Sequence, residues 1–401
     1  MKTAAIICEY NPFHNGHLYQ IEQIKSQLAV DHILAVMSGD FVQRGTPAFC
    51  GKYTRAELAL KNGVDLVLEL PVCYASASAE YFAYGGISLL DSLNCVDYLV
   101  FGTEAGNLQS LKNCARLFTE EPKDYRELLQ NQLKKGLSFP AARAYSASKI
   151  LGTDMSALLS APNNILAIEY LKALSKCGSP IEPYTIQRMG SDYHDTNMTC
   201  FSSATGIRTE IMRHGIQPDL ESAVPHDTFR YFKTFYHTDF PVIFNDFSEM
   251  MYYQLITEPH PERYLDYHPE LMDRIMKKHK SFCDIETLIS DVKSRNFTHA
   301  RISRYLLHLL LKITEEQASS SCQYAKILGM KKSHSKCIKH LNKSSSIPII
   351  QKISQYKSVL DGDALSSFEQ TLRATELYRY TVNKKYQTKR VSEFAQSLLI
   401  V

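Results

Sequence analysis

Two histidines, three positions apart, follow the first apolar run of the sequence directly, in the stretch EYNPFHNGH. Pro12 and Gly16 in this stretch predict a tight turn, and Gly16 would let a nucleotide approach the backbone closely. The imidazole N–H groups of His14 and His17 can donate to phosphate oxygens on which negative charge builds up in a transition state. Phosphoryl and nucleotidyl transfer depend mainly on positioning and charge stabilisation, so such a site needs no covalent nucleophile.

Two other interpretations of this histidine pair stay open. Both imidazoles could satisfy backbone groups of the turn, or they could be half of a metal site, which their spacing allows. The sequence has no CxxC, HxxxH or HxxEH motif to supply the remaining ligands. We therefore expect no metal to be held by protein side chains alone.

The first half of the chain alternates apolar strand patterns with helical patterns, which predicts an α/β fold with a parallel sheet covered on both faces. The predicted strands cover residues 4–10, 32–39, 65–72, 96–102 and 180–190. The predicted helices cover residues 17–28, 54–63, 78–93, 107–118, 163–174 and 201–215, and Gly85 and Gly86 are expected to interrupt the third. A strand, a turn and a helix form the usual layout of a phosphate site, because helix N-termini favour anions.

Helical patterns dominate after residue 215, where the α/β region is expected to end. We expect a domain at 1–215 followed by a mostly α-helical domain at 216–401. Between residues 317 and 362 the only acidic residue is Asp361, whereas lysines are frequent. The lysines proposed to bind RNA phosphates are Lys326, Lys331, Lys332, Lys336 and Lys339. The alternative for this stretch is a solvated helix face.

Bulk composition excludes several classes of protein. The chain has 401 residues, of which 44% are hydrophobic and 22% charged, and it has a net charge of +3. Its ten cysteines are scattered, which favours reduced thiols and a cytoplasmic protein. No apolar run approaches the ~20 residues of a membrane span.

Longer motifs carry a resemblance to a known family. They are EYNPFHNGH, MSGDFVQRGTPA (37–48), VDLVLELP (64–71), FGTE (101–104), PNNILAIEY (162–170), RMGSDYHD (188–195) and SSATGIR (202–208). HNGH resembles the HxGH signature of the nucleotidyltransferase superfamily, and FSSATGIR its second motif. Together the motifs resemble the bacterial tRNA(Met) cytidine acetate ligase family, strongly over residues 1–210 and weakly beyond. Thr103, Ala167 and Gly206 are mild departures, where serine, glycine and alanine would be expected.

The resemblance implies a Rossmann-like nucleotidyltransferase domain that binds ATP, followed by a helical domain that holds tRNA. It implies a ligase that activates acetate as acetyl-AMP, with Mg²⁺ held mainly by the ATP phosphates. The acetyl group would pass to the exocyclic amine of the wobble cytidine of elongator tRNA(Met), giving N4-acetylcytidine.

The resemblance also assigns residues, with His14 and His17 as the catalytic pair. The expected ATP-binding residues are Ile7, Cys8, Glu9, Tyr10, Asn11, Pro12, Phe13, His14, Asn15, Gly16, His17, Gly102, Asn163, Asn164, Arg188, Ser202, Ser203 and Thr205. Asp40 and Arg44 are candidates for contacting acetate, Mg²⁺ or the cytosine. Lys52 and Arg55 are weaker candidates for an RNA or phosphate contact.

Two rival functions share parts of this pattern. One is an adenylyltransferase of cofactor biosynthesis, against which the chain length and the lysine-rich second half argue. The other is a non-catalytic, nucleotide-sensing RNA-binding protein, against which the two intact histidines argue.

Overall fold

The computed structural model of the chain describes residues 1–104, 107–188, 201–389 and 391–401. The strands are β1 (Thr3–Cys8), β2 (His32–Ser38), β3 (Phe41–Val42), β4 (Thr46–Pro47), β5 (Leu66–Leu70), β6 (Tyr98–Thr103), β7 (Glu182–Gln187), β8 (Ala325–Met330), β9 (Ile349–Ile350) and β10 (Leu399–Ile400). The helices are α1 (Asn15–Gln27), α2 (Lys52–Lys61), α3 (Val72–Ala75), α4 (Ala79–Ser92), α5 (Leu108–Glu120), α6 (Lys123–Lys134), α7 (Phe139–Leu151), α8 (Ser156–Ser160), α9 (Pro162–Cys177), α10 (Ala204–His214), α11 (Leu220–Ala223), α12 (His226–Phe235), α13 (Ser248–Thr257), α14 (Pro269–Lys278), α15 (Ile285–Val292), α16 (His299–Leu311), α17 (Glu315–Ser319), α18 (Ser335–Ser344), α19 (Tyr356–Val359) and α20 (Gly362–Tyr386).

The main sheet has the strand order β10-β8-β5-β2-β1-β6-β7. Strands β5, β2, β1, β6 and β7 run parallel to one another, which confirms the predicted α/β fold with a parallel sheet. The chain builds outward from β1 to β2 and β5, and then returns to add β6 and β7 on the other side. This reversal of strand order at β1 is where open α/β sheets bind ligands, beyond the carboxyl ends of the strands.

Apolar side chains of β1 alternate between the two faces of the sheet. Ala5 and Ile7 pack into one buried cluster, and Ala4, Ile6 and Cys8 pack into another. Every residue of β1 is buried, so helices cover both faces. This explains why the strand is a continuous apolar run in the sequence.

Helix α4 runs without a break through Gly85 and Gly86, so the expected interruption is wrong. A Cβ on Gly85 would lie 2.1 Å from Cγ of Tyr74, and a Cβ on Gly86 would lie 2.6 Å from Cδ1 of Ile7. The two glycines let the helix approach α3 and β1 closely, and this packing outweighs their weak helix propensity.

The expectation that strands end near residue 215 is also wrong. Strand β8 pairs antiparallel with β5, and β9 and β10 pair with β8, so the second half of the chain completes the same sheet. The short apolar run AKILGM is too brief to distinguish a strand from a buried helix by periodicity. The division at residue 215 into two domains stays a prediction.

Three expectations fall wholly or partly outside the described residues. The end of the strand predicted for 180–190 and most of the motif at 188–195 lie there, as does the side chain of Lys336. No helix in the described ranges is long and apolar enough to cross a membrane.

Candidate active site

The turn after β1 is built around the two histidines. Nδ1 of His14 accepts a hydrogen bond from the backbone N–H of Gly16 at 3.0 Å. Nδ1 of His17 accepts from the backbone N–H of His14 at 3.2 Å. The two side chains therefore cap helix α1 reciprocally, as Ser and Glu do in the usual capping box. The backbone-satisfying interpretation of the pair is confirmed for these two nitrogens.

Gly16 serves this cap. A Cβ at Gly16 would lie 2.9 Å from Cε1 and 3.1 Å from Nδ1 of His14. The glycine thus leaves room for the His14 ring. The prediction from the sequence was that it leaves room for a nucleotide.

Both rings are neutral near neutral pH. Burial first, with Arg188 and Arg208 adding to it, lowers the pKa of His14 to about 3. Burial, followed by His14 and Arg188, also lowers the pKa of His17 well below its usual value. A neutral imidazole whose Nδ1 accepts a hydrogen bond carries its proton on Nε2. This assignment from the hydrogen-bond network gives two Nε2–H donors on rings stacked 3.7 Å apart.

Both rings line a cavity of about 420 Å³ at the carboxyl ends of β1, β6 and β7. Of the residues expected to bind ATP, the ones that line this cavity are Ile7, Cys8, Glu9, Tyr10, Asn11, His14, Gly16, His17, Gly102, Asn163 and Arg188. A Cβ at Gly102 would lie 3.2 Å from Cγ of Arg188, so this glycine keeps the strand end open beside that arginine. Arg44, a candidate for an acetate or cytosine contact, also lines the cavity.

The other expected ATP-binding residues do not line this cavity. They are Pro12, Phe13, Asn15, Asn164, Ser202, Ser203 and Thr205. Phe13 is fully buried against Tyr10, with ring centroids 4.9 Å apart. Asn15 donates to the carbonyl of Ser222 at 2.8 Å. These contacts fix the shape of the turn.

The two asparagines at the start of α9 have different partners. Asn163 donates from its side chain to Oε1 of Glu104 at 2.5 Å and lines the cavity. Asn164 is buried, and its Oδ1 accepts from the backbone N–H of Glu104 at 3.0 Å. Neither asparagine caps its own helix, because the Glu104 carboxylate accepts from their backbone N–H groups. Asn163 is therefore the better candidate for a nucleotide contact.

Helix α10 brings the second motif to the same site. Ser203 caps the helix by accepting from the N–H of Gly206 at 3.1 Å. Arg208 donates to the carbonyl of Asn11 at 2.5 Å and to Oγ1 of Thr205 at 3.1 Å, which ties the two motifs together. Phe201 and Ala204 of this segment line the cavity. The role of the hydroxyls in holding phosphates stays a prediction.

Two of the proposed contacts, those of Lys52 and Arg55, are wrong. Lys52 is 1% exposed and pairs with Glu69 and Glu393, and Arg55 is fully buried on backbone carbonyls, so neither can reach an RNA phosphate. Asp40 accepts from the N–H of Lys52 at 2.9 Å and lines a neighbouring cavity of about 400 Å³, not the one at the histidines, so its contact to acetate or cytosine stays a prediction. Sequence patterns show charge but not burial, which is why these residues looked available.

Lys326 is contradicted as an RNA contact for the same reason. It is 2% exposed, and its Nζ lies 2.7 Å from Oε2 of Glu69 and also pairs with Glu393. Lys332 and Lys339 are exposed, and Lys331 contacts Oδ1 of Asp65 at 3.1 Å. Because β8 is antiparallel to β5, these lysines lie at the edge of the sheet opposite the cavity.

Sequence reasoning missed the apolar wall of the cavity. Its members are Ala79 and Phe82 of α4, Pro162, Ile165, Leu166 and Tyr170 of α9, Phe101 of β6, and Ile186 of β7. Gln20, Tyr19, Gln43 and Gln187 were also missed. In the sequence, these apolar positions have the same periodicity as core residues. Only the gap between α4, α9 and the strand ends distinguishes them.

Comparisons with known proteins agree with this geometry. The HIGH Nucleotidyl Transferase family model matches residues 1–393. A tRNA(Met) cytidine acetate ligase from Caldanaerobacter subterraneus is 42% identical over 94% of this chain and 95% of its own. One from Acetivibrio thermocellus is 36% identical over the whole of both chains. The crystal structure of Thermotoga maritima TmcAL without ligand has a TM-score of 0.92 at 31% identity, covering 100% of both chains. The crystal structure of TmcAL bound with alpha-thio ATP has a TM-score of 0.91 at 30% identity, covering 100% of this chain and 99% of that one.

Proposed function

The chain belongs to the HIGH nucleotidyltransferase family, among its tRNA(Met) cytidine acetate ligases, and from this premise we propose how its cavity performs that activity. The enzyme is an ATP-dependent ligase that activates acetate as acetyl-AMP and acetylates the wobble cytidine of elongator tRNA(Met). The observation that carries this proposal is the pair of neutral imidazoles with Nε2–H donors at the point where the strand order reverses. No observation in the described residues favours the two rival functions.

In the first step an acetate oxygen attacks the α-phosphorus of ATP, and the bond to pyrophosphate breaks. Negative charge builds up on the α-phosphate oxygens, where His14 and His17 donate. Because their pKa values lie below the neutral range, these rings act as hydrogen-bond donors and not as proton acceptors. Arg188 provides the positive charge at the cavity for the leaving pyrophosphate.

In the second step the N4 amine of cytidine attacks the acetyl carbonyl, AMP leaves, and a proton leaves the nitrogen. The base must reach the cavity, so it has to turn out of the anticodon stack. Arg44 is exposed and lines the cavity, which makes it the candidate for a contact to the entering nucleotide. The apolar wall excludes water, which would hydrolyse the adenylate.

Mg²⁺ would be held mainly by the phosphates of ATP. Glu9 is the carboxylate among the described lining residues, and its Oε1 already accepts from the N–H of Gln43 at 2.9 Å. A cation that shields phosphate charge and keeps several waters needs few protein ligands.

The test uses the full-length protein with ATP, Mg²⁺ and radiolabelled acetate, with and without bulk tRNA. We expect label in acetyl-AMP when tRNA is absent, and label in N4-acetylcytidine after digestion when tRNA is present. Label in acetyl-AMP that never reaches tRNA would contradict the acceptor. No label in either pool would contradict acetate activation, and nucleotide and phosphopantetheine acceptors would then be tested.

The exposed lysines Lys332 and Lys339, together with Lys331, remain the proposed tRNA phosphate contacts. They lie at the opposite end of the strands from the cavity. A strand of six residues, such as β1, is roughly 20 Å long, which sets the approximate distance between these lysines and the cavity. Phosphates of the anticodon stem, and not those flanking the reacting base, would therefore have to meet them.

A further inference from the structure

A second group of polar side chains lies at the edge of the sheet opposite the cavity. His32 begins β2, Asp65 directly precedes β5, and His334 ends a short 3-10 helix after β8 (Lys332–His334). One ligand-type atom from each of these three residues lies within 4.8 Å of the other two. The proposed ligase reaction uses none of them.

Backbone hydrogen bonds hold the three positions together. Oδ2 of Asp65 accepts from the N–H of Ile33 at 2.9 Å, next to His32. The carbonyl of Asp65 accepts from the N–H of Lys331 at 3.0 Å, and the carbonyl of Lys331 accepts from the N–H of His334 at 3.0 Å. The group is thus placed by three strands of one sheet, which is the rigid support that a metal site needs.

The two imidazoles pack against each other edge to face. Their ring centroids are 4.9 Å apart, and their planes are inclined by 81°. Nδ1 of His32 is buried and has no hydrogen-bond partner among the residues that the structure describes. A buried polar atom without a partner is destabilising, and a ligand would supply the interaction that this nitrogen lacks.

We propose that His32, Asp65 and His334 form a binding site for a divalent transition metal ion of the zinc type, with water as a fourth ligand. Two imidazole nitrogens and one carboxylate oxygen are a common donor set for tetrahedral Zn²⁺. Nitrogen ligands ~2.1 Å from such an ion lie roughly 3.4 Å apart. The three ligand atoms, which lie within 4.8 Å of one another, must therefore move closer together on binding. The ion would join the first half of the chain to the segment after β8.

Lys331 is the group that opposes this cation. Its Nζ lies 3.1 Å from Oδ1 of Asp65, but its side chain is 24% exposed and can turn into solvent. Nδ1 of His334 lies 3.7 Å from Oδ1 of Asp65 and 2.8 Å from Oγ of Ser333, so the hydroxyl must turn away for this nitrogen to bind the metal. The ammonium group of Lys331 and a metal ion would therefore compete for the carboxylate of Asp65.

The test is a zinc titration of chelator-treated full-length protein against a chromophoric chelator. We expect one equivalent of zinc in the wild type and a loss of at least ~100-fold in affinity in His334→Gln, since even supporting contacts are worth ~10–100-fold. Lys331→Met should bind zinc roughly 10-fold more tightly, because it removes the competing charge. His299→Gln is the matched control, a surface histidine paired with Glu286 at 2.9 Å, and its affinity should not change.

Three results would overturn the proposal. One is equal affinity in the wild type and His334→Gln, which would show zinc bound elsewhere. Another is a thiolate charge-transfer band after Co²⁺ replaces zinc, which would assign the ion to cysteines. The third is loss of zinc in His14→Ser, which would place it in the nucleotide cavity. If His334→Gln does not fold, Lys331→Met provides the test instead. Zinc affinity in Lys331→Met that is equal to or lower than that of the wild type would also contradict the proposal.

Discussion

At the scale of single residues, the proposed function gives the histidine pair two tasks, which use different nitrogens. Nδ1 of each ring is used by the backbone, and this leaves Nε2–H as the donor to a phosphate. The sequence could predict the pair and its turn, because these follow from residue type and spacing, and the catalytic role of the pair stays a prediction. It could not predict protonation, since the lowered pKa values come from burial and from Arg188 and Arg208, which are distant in the chain.

Replacing His14 by serine separates these two tasks. Serine is a good N-cap, so the start of helix α1 should be kept, whereas alanine would cost ~0.5–2 kcal/mol there. We expect acetyl-adenylate formation to fall by ~10²–10³-fold, the usual effect of removing one donor to a transition-state oxyanion. Affinity for tRNA should be unchanged in a filter-binding assay. Normal turnover in this variant would show that His14 has no catalytic role.

The buried His14 should also make stability depend on pH. Its folded-state pKa is about 3, below the ordinary 6.5, so the unfolded chain takes up a proton that the folded chain refuses. Unfolding free energy should therefore fall as pH decreases, by about 1.4 kcal/mol from this residue between pH 7.5 and 5.5. Urea unfolding at both pH values should show a smaller decrease in His14→Ser. An identical decrease in both proteins would mean that His14 titrates normally.

At the scale of elements, glycines in two helices have different surroundings, so replacing them should affect stability differently. Gly85 in α4 lies against Tyr74, while Gly206 in α10 has only Oγ of Ser203 at 3.5 Å from its Cβ position. Strand and helix positions in the first half of the chain were predictable from periodicity. Whether a helical glycine interrupts, packs or merely weakens depends on its neighbours in space, and the sequence does not show them.

Alanine substitutions at these two glycines should have opposite effects on stability. Gly206→Ala should stabilise the protein by up to ~1 kcal/mol, because alanine is the better helix former and the contact is ordinary. Gly85→Ala should destabilise it by ~1–3 kcal/mol or more, since the new methyl group overlaps the Tyr74 ring. Thermal unfolding of both variants measures the difference. A stabilising Gly85→Ala would contradict the close packing of α4.

At the scale of the whole molecule, a buried ion cluster joins the two halves of the chain. Lys52 and Glu69 come from the first half, and Lys326 and Glu393 from the second. Sequence patterns predicted that the lysine-rich segment is an exposed RNA-binding surface. The structure confirms the exposure of Lys332 and Lys339, and their contact with RNA stays a prediction. Lys326 was beyond prediction, because its partners lie far away in the chain.

Removing one member of this cluster should be severe. Lys326→Met leaves Glu69 and Glu393 with less compensation, and we expect a loss of ~3–5 kcal/mol in unfolding free energy. Lys332→Met, at an exposed position of the same segment, should change stability by less than ~0.5 kcal/mol. Urea unfolding compares the two. A mild effect of Lys326→Met would show that the cluster is open to water.

The late arrival of β8 has a consequence for synthesis on the ribosome. Strand β5 ends at Leu70, but its antiparallel neighbour begins only at Ala325, about 255 residues later. At ~5–20 residues per second, the nascent chain carries an unpaired apolar strand edge for tens of seconds. During that interval the parallel strands can assemble, but the free edge of β5 cannot yet pair with β8. Newly made chains are therefore most exposed to aggregation and to chaperone capture until β8 has been synthesised.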